Sequence, residues 1–309
     1  RDIAFGSNDI VVGTHGRAIW VLDDPTVLRH TQSSDATTAL FKPSPAILFQ
    51  RAGSFGFGAF DEGTPLPPEE PQGENAPWGA VLDYALKPAT GDKSKHVSFQ
   101  VLDEHGKAVR SLSSLDKPTP VDVDHLDIPA YWVHRQIPIS AAPGGHRLIW
   151  NLRYKDDGGP LVPPGNYKVI MSFDGRTYEQ PLTVVKDPRV AASDADQRAQ
   201  FKLAIAVGDE IEVVKALRTR IQALLKKVPP APRKSRLLAL LGGGGSGTPD
   251  EGGTATMDFG SLRRIEEGLG GVRGAILSAP AAPSAGCVDA FRSLKLRVEA
   301  ILTEVKAMK

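Results

Sequence analysis

The sequence predicts a mainly β chain that ends in helices: a short hairpin, a β-sandwich of immunoglobulin or fibronectin type III style, and an antiparallel helical bundle. Three observations carry this. Apolar and polar residues alternate in several short runs between Gly79 and Val185, which is the period of half-buried strands. Asp174-Gly175 separates two of these runs and is a preferred dipeptide of type I′ hairpin turns. Beyond Ser193 the apolar residues recur at threes and fours, the period of an amphipathic helix.

Taken in order, Ile10 to Val12 and Ala18 to Leu22 are two β-rich runs around a Gly13-x-x-Gly16 turn, a hairpin spanning 1–24. Two strands alone are marginal in water, so the hairpin is expected to lie against a sheet it does not itself supply. Residues 25–45, with Thr31-Gln32-Ser33-Ser34-Asp35, read as a linker. The sandwich occupies 46–190. Ala46 to Phe49 is its first strand, and a proline-rich loop follows, in which Phe55, Phe57 and Phe60 read as anchors. Val97, Phe99 and Val101 alternate with polar residues, and Asp103-Glu104-His105-Gly106 turns into Lys107 to Leu112. Arg147 to Tyr154, Tyr167 to Phe173 and Tyr178 to Val185 complete about seven antiparallel strands.

Asp187-Pro188-Arg189 stops the last strand, because proline cannot continue a ladder. Ser193-x-x-Asp196 is a capping pattern, and Val207, Ile211, Val214, Leu217, Ile221, Leu225 and Val228 then predict one helix of about 30 residues. Pro229-Pro230-Ala231-Pro232 ends it. Val288, Phe291, Leu294, Val298, Ile301, Val305 and Met308 form a second stripe, so the two helices are expected to bury each other as an antiparallel pair. Leu262 to Ile276 is a shorter third helix, weakened by Gly268, Gly270, Gly271 and Gly274. The bundle thus covers 193–309, with a disordered Gly-rich insertion around 229–257. No strand precedes that glycine run and no Gly-Lys-Ser/Thr closes it, so it reads as a linker and not as a phosphate loop.

Composition narrows the partners. Lys+Arg 37 against Asp+Glu 36 leaves a net charge of +1, with no long single-sign stretch, which argues against nucleic acid. Cys287 is the single cysteine, so no intramolecular disulfide or thiolate cluster is available. No run of 18 apolar residues occurs, so no membrane span is expected. Glycine 31 and proline 25 exceed the usual share, and the pattern above places the excess between modules. The opening at Arg1, without a basic and apolar leader, reads as a fragment or a processed product.

Three passages carry a resemblance. Asn8-Asp9-Ile10-Val11-Val12-Gly13-Thr14-His15-Gly16-Arg17-Ala18-Ile19-Trp20-Val21-Leu22-Asp23-Asp24 resembles the last blade of large bacterial β-propeller proteins of the sortilin-like, bacterial-neuraminidase-repeat type. These are usually labelled glycosyl hydrolases. Ala142 to Tyr154, with Val162 to Tyr167 and Gln180 to Val190, is similar to the sandwich that follows the propeller in that family, and the helices fit its C-terminal region. The resemblance implies that 1–24 are closing strands of a propeller whose other blades lie elsewhere in the parent chain, and that the setting is extracellular or periplasmic. It further implies that hydrolysis belongs to those absent blades, which leaves this chain a non-catalytic accessory region that braces the propeller or presents it to a glycan or protein. Two alternatives stand beside it: contribution of loops 53–78 to a glycoside hydrolase active site, and a sortilin-type protein-binding scaffold. Where the family pattern has Asp after the sandwich tryptophan, this chain has Asn151.

Candidate chemistry is sparse. Glycoside hydrolysis needs two carboxyl groups facing one bond, but Asp23 and Asp24 are adjacent on a strand and point to opposite faces. They read as caps that pin the strand end. His15 and Arg17 in the blade turn are candidate ligand contacts, as are Trp78, Tyr131 and Trp132, whose rings suit sugar faces; Trp150 belongs to a core stripe. Asp122, Asp124, His125 and Asp127 are dense in hard ligands, yet lack the glycine and terminal glutamate of a calcium loop. No His-Glu-x-x-His and no Gly-x-Ser-x-Gly occurs. No catalytic residue, metal or cofactor is assigned, and Cys287 reads as incidental.

Overall fold

The computed structural model describes residues 2–6, 9–25, 28, 38–49, 69, 78–88, 96–118, 120–127, 129, 133, 137–227, 229–242 and 260–308. The chain divides into two units, Arg1–Val190 and Ala191–Lys309, with three sheets in the first and four helices in the second among the described residues.

The predicted hairpin gains a strand. β1 (Asp2–Phe5), β2 (Asp9–Gly13) and β3 (Ile19–Asp23) form an antiparallel meander in chain order. A second sheet has three strands in the order β4 (Ala39–Leu40), β6 (Ala80–Leu86) and β9 (Gly144–Trp150). Thus Ala39–Leu40, inside the stretch read as linker, pairs antiparallel with Ala85 and Tyr84. The third sheet has the order β5 (Ala46–Leu48), β11 (Arg176–Lys186), β10 (Gly165–Phe173), β7 (Ser98–Leu102) and β8 (Ala108–Ser113). Seven of these strands fall within 46–190, as expected, but not all pairs are antiparallel. β5 runs parallel to β11, with Ala46 opposite Val184.

Alternation explains the strands best where both neighbours are present. In β10, Tyr167, Val169, Met171 and Phe173 are buried while Asn166 and Lys168 are exposed. β6 alternates likewise, burying Ala80, Leu82, Tyr84 and Leu86. The two sheets meet through aromatic rings: Tyr84 of β6 lies edge-on to Phe99 of β7 at 5.0 Å, and Trp150 of β9 to Tyr167 of β10 at 6.0 Å. Each polar tip finds an acceptor, as buried aromatics require. Tyr84 donates to the Ser140 carbonyl at 2.7 Å, Tyr167 to Pro163 at 2.6 Å and Trp150 Nε1 to Arg153 at 3.1 Å. Burial pushes the Tyr84 phenol up to about 12, outweighing the Ser140 hydrogen bond. Asp174 and Gly175 both have positive φ, 50° and 71°, the geometry a type I′ turn demands. The strand expected to run to Tyr154 stops at Trp150, because Leu152 takes φ 57° and turns the chain into a loop.

In the second unit Ser193 caps α1 (Asp194–Lys226). Its hydroxyl accepts from the Asp196 amide and the Asp196 carboxylate returns to the Ser193 backbone, a reciprocal capping box. α2 (Ala231–Leu241) corrects the expected insertion over 229–257. The proline cluster that ends α1 also starts α2, since proline at the first helical positions loses no hydrogen bond. Leu237 and Leu240 then anchor α2 in the core. The glycine run from Gly243 onward lies outside the described residues.

α3 (Leu262–Leu277) and α4 (Ala285–Ala307) complete the unit. α3 is central, not peripheral: it packs on both α1 and α4, and Leu262, Ile265 and Leu269 are fully buried. It runs antiparallel to α1. Gln200 Nε2 donates to the Ile276 and Ala279 carbonyls at its C-terminal end, while Arg218 pairs with Glu266 near its start. A Cβ at Gly268 would lie 3.2 Å from Leu294 Cδ2, so glycine here admits α4 closely. Among the described residues no helix is long and apolar enough to cross a membrane.

Candidate functional site

Among the described residues the β1–β3 sheet presents an unusually apolar surface. Ile3 and Phe5 on β1 and Ile19, Trp20, Val21 and Leu22 on β3 are all exposed, Phe5 by 77% and Trp20 by 66%. Successive strand residues point to opposite faces, so four consecutive exposed apolar residues mean that both faces of this sheet are uncovered. Contiguous exposed apolar surface of this kind is uncommon on a monomeric soluble fold.

Its β2–β3 turn is closed by hydrogen bonds. Thr14 Oγ1 donates to the Ala18 carbonyl at 2.7 Å and accepts from the Arg17 amide at 3.1 Å. Gly16 and Ala18 have φ of 80° and 61°, and glycine suits the first of these tight positions. Trp20 Nε1 donates to the Arg17 carbonyl at 3.0 Å, which fixes the exposed indole against the turn. His15 and Arg17 are both exposed at the tip.

A joint ties this sheet to the β4-β6-β9 sheet. Arg147 on β9 holds Asp83 of β6 with two hydrogen bonds, Nε to Oδ1 at 2.8 Å and Nη2 to Oδ2 at 3.0 Å. The same guanidinium reaches the carbonyls of Asp23 and Asp24 at 3.4 and 3.3 Å. Asp24 has φ 46°, and its carboxylate accepts from Ser44 Oγ at 3.0 Å. Asp23 and Asp24 therefore end the strand and anchor the crossover, as their sequence suggested. The Asp83 hydrogen bond, with the charges of Asp83, Asp24 and Asp23, raises the Arg147 pKa despite partial burial.

Trp78 lies elsewhere, in the bend that leads into β6. Its ring packs on Phe49 at 4.6 Å, and the Arg189 guanidinium sits over Phe49 at 4.8 Å. Arg189 in turn holds Asp187 through both carboxylate oxygens, at 3.0 and 2.7 Å, and through its amide at 2.9 Å. These contacts bring Asp187 down to about 2. Trp78 thus belongs to a stacked ladder at the end of β11, remote in chain and sheet from the His15–Arg17 turn. Tyr131 and Trp132 lie outside the described residues, as do Phe55, Phe57 and Phe60.

His125 Nδ1 and Asp122 Oδ2 pair at 2.8 Å on an exposed turn. Among the described residues no three His, Cys, Asp or Glu side chains gather into a metal site. One polar cluster escaped the sequence reading. A register shift in the β7–β8 ladder at Val101/Leu102 leaves Val109 as an extra residue, and both Val109 and Arg110 become buried. Asp157, in the loop after β9, accepts from Arg110 Nη2 at 2.6 Å and from Asn151 Nδ2 at 3.0 Å. Asn151 also accepts from the Arg153 amide at 3.2 Å, so this strand-end residue shapes a loop. Comparison with family models and with curated proteins found no match for this chain.

Proposed function

We propose that this chain is the C-terminal region of a bacterial sortilin-like, neuraminidase-repeat β-propeller protein, and that it serves as a non-catalytic accessory region outside the cytoplasm. The observation that carries this reading is the β1–β3 sheet, a meander in chain order with both faces apolar and uncovered. Propeller blades are four-stranded meanders packed face to face around a channel, and three such strands with two bare faces suit a blade whose neighbours are absent. The Arg147 joint then gives the blade a fixed link to the sheets behind it. In this reading those two sheets form an immunoglobulin- or fibronectin-like sandwich, the four helices form a bundle, and together they brace the propeller or present it to a glycan or a protein.

The test compares the parent protein, blades included, with the same protein lacking residues 46–309. Polysaccharide hydrolysis or ligand capture that persists on a folded propeller after the deletion is expected. Loss of activity with the propeller still folded would overturn the accessory role and favour loops that complete an active site.

A further inference from the structure

Arg110 is nine-tenths buried, at 9% exposure, although it carries a permanent charge. The β-bulge at Val109 is the cause. One extra residue rotates the strand and turns Arg110 inward, and bulges re-aim side chains in this way beside functional sites. Of the five N–H donors of the guanidinium, those on Nη2 face Asp157, whereas Nε and Nη1 are buried and have no acceptor. Such orphaned donors are costly in an interior.

The cover over Arg110 is the loop 151–161. It closes through the Arg153–Leu161 bridge and the Tyr154 amide to the Pro160 carbonyl at 2.9 Å. Contacts with the strands beneath also hold it down: the Trp150 indole N–H on the Arg153 carbonyl at 3.1 Å at its base, and, further along, the Lys155 amide on the Val109 carbonyl at 2.8 Å and the Asp157 carboxylate on Arg110. Leu152 and Lys155 have φ of 57° and 65°, a region that side chains other than glycine, asparagine and aspartate enter reluctantly. Asp157 itself is half exposed, so this carboxylate can leave for water more readily than the arginine can.

We propose that Arg110 is a binding site for a carboxylate or phosphate group, that the exposed stretch 155–158 of this loop is its lid, and that Asp157 is the built-in competitor occupying it in the closed state. An entering oxyanion replaces the single Asp157 contact with a two-pronged one along Nη2 and a neighbouring N–H, the pairing for which arginine is best shaped. The inference is independent of the propeller reading, because it rests on the β8 bulge and the loop after β9.

Sodium phosphate and sodium acetate, titrated separately at constant ionic strength into the full chain, are the probes, and the Arg110 Nε–H resonance is the readout. Asp157→Asn is expected to bind at least one of them tenfold more tightly than the unaltered chain, with the better probe identifying phosphate or carboxylate as the ligand class. Asp157→Ser is the second lid variant, and Arg110→Lys in either background is expected to abolish the response. No response in the lid variants, or one that survives Arg110→Lys, overturns the proposal. So does loss of the fold in both lid variants, which would make the pair a structural bridge.

Discussion

Single residues in this chain do their work through partners far away in sequence. Asp187 is 5% exposed and holds Arg189 by four hydrogen bonds, while Arg189 covers the Phe49 ring that supports Trp78. Its carboxyl falls from 3.8 to about 2 on folding, chiefly through the Arg189 side-chain hydrogen bond. A carboxyl depressed in the folded state binds protons more weakly there than in the unfolded chain, so its contribution is full above the unfolded value and disappears as pH falls through the folded one. We therefore expect the stability difference between the unaltered chain and Asp187→Asn, read by urea unfolding, to be constant above pH 5 and to shrink between about pH 4 and 2. A difference unchanged across that window would mean the ion pair does not form. The sequence showed Asp187-Pro188-Arg189 as a strand stop, but the ladder onto Phe49 and Trp78 joins positions more than a hundred residues apart and has no local signature. Arg147 was invisible for the same reason: it bridges Asp83 and the Asp23–Asp24 backbone, which only the fold brings together.

At the scale of elements, legibility followed periodicity. β10 was readable because Tyr167, Val169, Met171 and Phe173 face one core without interruption, and α1 because its stripe and its Ser193 cap agree. The β8 bulge broke the alternation it depends on, and so hid Arg110. α2 was missed because a proline cluster signals both a helix end and a helix start, and only the burial of Leu237 and Leu240 decides between them. In the sequence the four glycines of α3 weigh against it together. They differ: Gly268 faces Leu294, whereas a Cβ at Gly270, Gly271 or Gly274 meets nothing within 4 Å. Alanine at those three exposed positions is expected to stabilise the second unit by about 2.4–3 kcal/mol, given roughly 0.8–1 kcal/mol per glycine in a helix interior. Adding Gly268→Ala should return less than the others, because Leu294 must shift. Thermal unfolding of the triple variant and of the quadruple variant checks both parts, and a neutral triple variant would contradict the open faces assigned to α3.

Across the whole molecule, the two units have separate means of support. Ala191–Lys309 encloses its own apolar core, to which α1, α2, α3 and α4 all contribute, and ion pairs such as Arg236–Glu304 lie within it. It is therefore expected to fold when produced alone, with a helical circular dichroism spectrum and a single cooperative thermal transition. A non-cooperative transition would show that it depends on residues 1–190. The first unit behaves differently in time. One edge strand of its five-stranded sheet, Ala46–Leu48, lies parallel to Val184–Lys186, so a polypeptide emerging from the ribosome exposes β5 for about 140 residues before its partner exists. Such long loop closures are slow, and until β11 arrives the waiting strand is open to pairing with another chain. Synthesis speed and chaperone supply, more than equilibrium stability, should then set the yield of this unit.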